Sequence, residues 1–427
     1  MKRNLWRLKS LGIFLVCVLF LGALALACWA KEIRIVHYHW TQPPYDEIVK
    51  SSAESFMKEN PNVKVEVLFF PDPDLPTKVR LALMGEGDID TFALPNMLSA
   101  WYMANGLCAE IDPGAFGKQT IEEVVDMWLP DAFRKTGGFY EGKYYGIPHE
   151  MSNYVAWINI AHMKEAGLDP ANLPSTWSEF VETCKKLVVK EGNIYKRNGF
   201  AVNLKAPIFP FLVLHSFMEQ KGLDWSTEAG FVKSLGTKEA LEAFTTFTNF
   251  ATKDGIFDPG LFDDDREGFG NGLTSTFLTG GTWYWGVLKN YSVKPEDVTP
   301  FKYPRFSGGK DVGGPVYGYS IFVARHSKNQ EWAWKWIDHL ESNPEAYIVH
   351  GYFQPRKSLD PALADKYIPN NDVFGYERDH GAILLASPKF NEVTDAVGEA
   401  IHRVVFSGEN PEEVLKSLQE EVKNILE

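Results

Sequence analysis

Between residues 32 and 95 the chain switches back and forth between strand and helix periodicity, and this alternation constrains its fold more than any other feature. "EIRIVHYHW" (32–40) is an apolar-rich strand that ends at Thr41 and a Pro43-Pro44 break. Ile48, Val49, Ala53, Phe56 and Met57 then recur at helical spacing until Asn60-Pro61 stops the helix. "VKVEVLFF" (63–70) alternates as a second strand, "LPTKVRLALMGEG" (75–87) reads as a second helix, and "DIDTFAL" (88–94) as a buried strand. This order predicts an α/β fold with a parallel sheet and helices on its faces. In open sheets of this kind a ligand lies beyond the carboxyl ends of the strands. Those ends are residues 39–42, 70–74 and 93–96, which makes Trp40, Gln42 and Asn96 candidate contacts.

A chain of 427 residues is long enough for two domains or two lobes. No repeat of solenoid or propeller length is present. "YYGIPHEMSNYVAWIN" (144–159) and "VYGYSIFVAR" (316–325) are extended runs without helical period. Between them the sequence is mixed and helix-rich. One helix, "STWSEFVETCKKLVV", has Ser175 or Thr176 as its cap ahead of Glu179. A second, "TKEALEAFTTFTNFATKDG", is closed by Gly255. In "NQEWAWKWIDHLES" (329–342), Trp332 and Trp336 share a helix face and are expected in the core. The tail predicts two helices separated by "SGENP".

The first thirty residues have a separate character. Lys2, Arg3, Arg7 and Lys9 precede an apolar run from Leu11 to Ala27, with no acidic residue. This is the pattern of a secretory signal peptide, so residues 1–30 are set aside from the fold; the run also approaches the length of a membrane anchor. Losing four positive charges takes the formal net charge from −13 to −17. So acidic an exported chain is a poor partner for nucleic acid or anionic lipid. Cys17 goes with the leader; Cys28 at its end, Cys108 and Cys184 stand at spacings that form no disulfide framework. Buried free thiols are expected at Cys108 and Cys184.

Several chemistries lack their residues. "HEMSN" (149–153) has Asn153 where a zincin helix needs its second histidine. "DDDREGFGNGLT" (263–274) starts like a calcium loop but ends on Thr274 instead of a bidentate glutamate. His37 and His39 alone do not define a zinc site. There is no P-loop, no dinucleotide fingerprint and no nucleophile elbow, and no cofactor or metal is expected. Asp88, Asp90 and Glu150 could supply the carboxylate pair of a glycosidase. An exported carbohydrate-active enzyme is therefore the rival class, and a secreted interaction module without a small ligand is a third.

"GGTWYWG" (280–286) sets two tryptophans and a tyrosine between glycines. A core helix would avoid the glycines and a solvated loop would avoid the rings, so something must rest against the aromatic faces. A sugar matches such faces with its C–H patches, while carboxylates, amides and arginine match its hydroxyls.

Four segments together, "YYGIPHEMSNYVAWINIAHMKEAGLDPANLPSTWSEFVETCKKL", "GGTWYWG", "YSIFVARHSKNQEWAWKWIDHLES" and "FSGENPEEVLKSLQEEVKNIL", resemble the extracellular solute-binding proteins of bacterial ABC transporters, in the branch that includes the maltose-binding proteins. One departure is Ile89 before Asp90, where the family often has proline. The resemblance implies two α/β lobes joined by crossover strands, with ligand trapped in the cleft between them. Lobe boundaries of 31–147 with 318–354, and 148–317 with 355–427, are expected. The implied function is capture of a sugar or oligosaccharide by hinge closure and delivery to the transmembrane subunits of a permease, by a monomer without catalysis. Glycerol-phosphate-type polyols are the alternative ligands. The resemblance places Trp283 and Trp285 against sugar, and Glu150 as an acceptor from its hydroxyls. His149 adjoins Glu150, Tyr317 and Tyr319 lie on the second crossover, and Arg356 follows "GYFQP" as a donor. "Ala25-Leu26-Ala27-Cys28" resembles a lipobox, with Ala25 in place of the usual leucine, so a lipid anchor at Cys28 and ordinary cleavage both stay open. Either way the protein is expected outside the cytoplasm, periplasmic or tethered to the outer face of the cell membrane.

Overall fold

The computed structural model describes residues 32–427; the leader and Cys28 lie outside the described residues. The alternation at the start folds as predicted: β1 (Ile33–Trp40), α1 (Tyr45–Glu59), β2 (Val63–Phe70), α2 (Leu75–Leu81), β3 (Thr91–Pro95) and α3 (Asn96–Ala104). β1 lies between β2 and β3 and pairs with both in parallel. From Ile35 onward every residue of β1 is buried, as a strand covered by helices on both faces requires.

The first extended run is two strands with one residue between them. β4 (Gly146–Asn153) belongs to the first sheet and β5 (Val155–Asn159) to a second. Tyr154, between the two, stacks on Tyr317 with ring centroids 5.4 Å apart. β5 is the centre of that second, antiparallel sheet, flanked by β6 (Thr276–Gly280) and β7 (Val298–Phe301). β8 (Pro315–Val323) then returns to the first sheet, antiparallel to both β3 and β4. Gly318 allows this close pairing, since a Cβ there would stand 2.1 Å from the Glu150 carbonyl oxygen. The two crossings therefore run side by side.

Apolar side chains gather accordingly. One core joins β1, β2, β3 and β8 to the helix α7 (Gln330–Leu340). Another joins β5 to α4 (Trp177–Leu187), α5 (Lys238–Thr252) and the C-terminal helices α8 (Phe390–Val405) and α9 (Pro411–Leu426). A third lies on the opposite face of β5, around Trp157, Phe269 and Phe277. α4 starts on Thr176, not Ser175, in a reciprocal capping box with Glu179. In α7 the fully buried rings are Trp334 and Trp336, while Trp332 is half-buried under Lys335. The helix lies between two neighbours, Trp336 facing Phe56 of α1 and Trp334 facing Phe116. A single-face reading of its pattern missed the second contact. Cys108 and Cys184 are buried free thiols. No helix among the described residues is long and apolar enough to cross a membrane.

Candidate functional site

A cavity of about 580 Å³ opens where the two sheets face one another. Gln42 and Pro43 reach it from the end of β1, Glu150 from β4 and Tyr317 from β8. The other side carries Trp283, Trp285 and Lys289, on and beside the short helix α6 (Tyr284–Leu288). His350, Tyr352 and Tyr367 close the rim.

The local chemistry of "GGTWYWG" explains its composition. β6 ends at Gly280, where a Cβ would meet the Trp157 indole nitrogen at 2.5 Å; that nitrogen instead donates to the Gly280 carbonyl over 3.1 Å. A Cβ on Gly281 would stand 2.6 Å from the Trp283 indole nitrogen. The glycines thus make room for indoles. Tyr284 turns inward, fully buried, and its hydroxyl donates to the Arg266 carbonyl over 2.7 Å. Trp283 and Trp285 stay half-buried on the cleft side. Trp285 is braced edge-on by Trp157 at 4.8 Å, and the Arg266 guanidinium lies 5.0 Å from the Trp283 ring centre.

Glu150 is the buried carboxyl group of the cleft, 7 % exposed. Burial, with the charge of Asp72 adding to it, pushes its pKa up to about 8. Near neutral pH it is a neutral acid, able to donate a hydrogen bond as well as accept one.

Five of the ten sequence candidates meet in this lining: Gln42, Glu150, Trp283, Trp285 and Tyr317. The other five stand outside it, each engaged within the protein. Trp40 is buried and stacked on Tyr319 at 4.0 Å, and the Tyr319 hydroxyl donates to Asp72. Asn96 is turned inward, its amide donating to the carbonyls of Lys135 and Val316. His149 is fully buried against Glu341 and His39. Arg356 donates to the Glu341 carbonyl and to Asp338. A position at a strand end brings a residue near the cleft, but the pleat decides which side its side chain takes.

Sequence reasoning passed over Lys289, His350, Tyr352 and Tyr367. Lys289 follows Trp285 at i+4, a spacing that could have flagged it. Tyr352 lies in the "GYFQP" that Arg356 follows, and its hydroxyl accepts from the Gln42 amide over 2.8 Å. Two of the carboxylates considered for a glycosidase are elsewhere: Asp88 pairs with Arg34 at the surface, and Asp90 accepts from the Val36 amide. The calcium-like segment is a helix start, with Asp264 capping Arg266 and Glu267 and Asp265 accepting from Thr279.

The chain matches the bacterial extracellular solute-binding protein family over residues 40–347, more than half its length, and it belongs to that family. A maltotriose-binding protein of Pyrococcus abyssi is 24% identical over 410 residues, covering 91% of this chain and 82% of that one. Among solved structures, an ABC substrate-binding protein from Listeria monocytogenes in complex with cycloalternan superposes with a TM-score of 0.75 at 19% identity, covering 92% of this chain and 99% of that one. The cyclic alpha-maltosyl-1,6-maltose binding protein from Arthrobacter globiformis gives 0.76 at 15% identity, with 93% and 99% covered. These likenesses establish the two-lobed periplasmic-binding-protein fold.

Proposed function

We propose that the protein is the receptor of an ABC importer and binds a sugar or oligosaccharide in the cleft between its lobes, handing it to a membrane permease without chemical change. The observation that carries this reading is the lining itself: Trp283, Trp285 and Tyr317 offer ring faces, and Gln42, Glu150 and Tyr352 offer hydrogen-bonding groups beside them. Flat C–H faces and peripheral hydroxyls on one ligand match that combination. The carbohydrate ligands named for the relatives support it. The separate cores support two lobes, divided not at 147/148 as the expected bounds have it but at Tyr154, where the first-sheet strand of residues 146–153 gives way to the second-sheet strand of residues 155–159. Contact with both lobes is what would favour a closed form, since a ligand that touches only one shifts nothing. Export by the leader, with or without lipid at Cys28, and action as a monomer complete the proposal.

Thermal unfolding of the mature protein against monosaccharides, oligosaccharides, polyols and glycerol phosphate tests it. A ligand that binds only the folded state raises the midpoint by mass action. A rise with a carbohydrate is expected; a rise with glycerol phosphate alone would move the ligand class, and no rise with any solute would contradict the reading.

A further inference from the structure

We propose that Glu341 and His149 form a buried positioning pair that fixes the cleft wall of residues 350–352 against the strand carrying Glu150. The inference rests on the cavity being the ligand site. His149 precedes Glu150 in β4, so the alternation of the strand turns it away from the cleft, into the protein behind the wall. There its Nδ1 lies 2.5 Å from Oε1 of Glu341, and its Nε2 lies 3.2 Å from Nε2 of His39. Both His149 and His39 are fully buried, and Glu341 is 1% exposed.

The hydrogen bonds fix where the protons are. His39 Nδ1 lies 2.8 Å from the Trp40 carbonyl, which can only accept, so that nitrogen carries the hydrogen. Burial keeps His39 neutral, which leaves its Nε2 bare. The hydrogen in the contact between the two rings must then come from His149 Nε2. One proton remains to be placed, between His149 Nδ1 and Glu341. Burial pushes His149 down to about 3 and Glu341 well up, so the proton stays on the carboxyl group. Glu341 donates to His149 as a neutral acid, and no buried charge pair has to be stabilised.

The second oxygen of Glu341 ties this pair to the wall. It accepts from the Gln354 amide over 2.7 Å, and the Glu341 carbonyl accepts from Arg356 over 2.8 Å. Gln354 lies two residues after Tyr352, whose hydroxyl accepts from Gln42. The Met151 amide also donates to the Phe353 carbonyl over 2.9 Å. Three parts of the cleft lining, the end of β1, β4 and residues 350–352, are therefore tied together by hydrogen bonds, buried at Glu341 and half-buried at Gln42 and Tyr352.

Nitrogen NMR of the ligand-free protein tests the proton assignment without any substitution. His149 is expected with a bare Nδ1 and a protonated Nε2 near neutral pH; an imidazolium there would overturn it. Glu341→Gln keeps every bond, its amide donating to His149 and its oxygen accepting from Gln354, whereas Glu341→Ala loses both. Crystal structures without ligand should show the 350–352 wall unmoved in the first variant, and displaced with loss of the Gln42–Tyr352 bond in the second. With maltotriose as probe, Glu341→Ala should bind about tenfold more weakly and Glu341→Gln within about twofold of wild type. Should Glu341→Ala not fold, Gln354→Leu leaves the pair intact, cuts its tie to the wall and should displace it likewise. An unmoved wall in Glu341→Ala or, in its place, Gln354→Leu overturns the proposal, as does a Glu341→Gln variant as impaired as the alanine. If wild type does not bind maltotriose, the choice of probe or the functional reading is at fault, and the crystal structures alone decide the positioning role.

Discussion

At Glu150 a carboxyl group is held away from water and near the carboxylate of Asp72, so folding selects its protonated form. Its pKa rises from 4.5 to about 8, and across that interval the folded state holds a proton that the unfolded state has released. Stability contributed by this group is therefore lost as pH rises between those values and levels off above the upper one. Glu150→Gln removes the titration: relative to wild type, its unfolding midpoint should climb from pH 5 to pH 8, and a constant difference would contradict the shifted carboxyl. The same variant should keep most of its ligand affinity at neutral pH, because the amide still offers a donor and an acceptor. For the tryptophans the force is contact area. Trp283→Ala and Trp285→Ala should each weaken sugar binding by about 1–3 kcal/mol with the fold intact by circular dichroism; normal binding in both would remove them from the site. The "GGTWYWG" rings stand out in the sequence because glycine beside tryptophan is a costly choice without a purpose, and Trp283 and Trp285 do line the cavity. His149, Trp40 and Arg356 lie outside the cavity lining, because proximity to the cleft says nothing about which way a side chain faces.

At the scale of elements, periodicity carried most of the fold. The three opening strands and their helices stand where alternation and helical spacing put them, and the capping box was visible as Thr176 followed by Glu179. Thr176→Ala should lower stability by about 1 kcal/mol, measured by denaturant unfolding, with ligand affinity unchanged. What periodicity could not supply was the division of one extended run between two sheets at Tyr154, since both strands are fully buried and carry no alternation. Nor could it show that α7 buries two faces. The turn from β6 into the cleft is a place where an element and the site are coupled. Gly281→Ala sets a Cβ 2.6 Å from the Trp283 indole nitrogen and 3.1 Å from the Ser152 hydroxyl, so the ring must shift. Affinity should fall by more than stability does; unchanged affinity would mean that the ring's placement is unimportant.

For the molecule as a whole, two crossings side by side connect bodies with separate cores, and the cavity lies between them. That architecture lets a ligand bias an opening and closing equilibrium by touching both sides, as hinge proteins do. Sequence pattern points to this arrangement through four segments spread over the chain, while the identity of the ligand depends on cleft geometry that no short motif encodes. Calorimetric titration of maltotriose and the other carbohydrates of the panel into the mature protein, with Trp283→Ala alongside, tests the central claim most directly. Saturable binding of one of them at one site per chain, with no product formed and about tenfold or greater weakening in the variant, is the predicted result. No binding of any carbohydrate, or equal affinity in the variant, would contradict it.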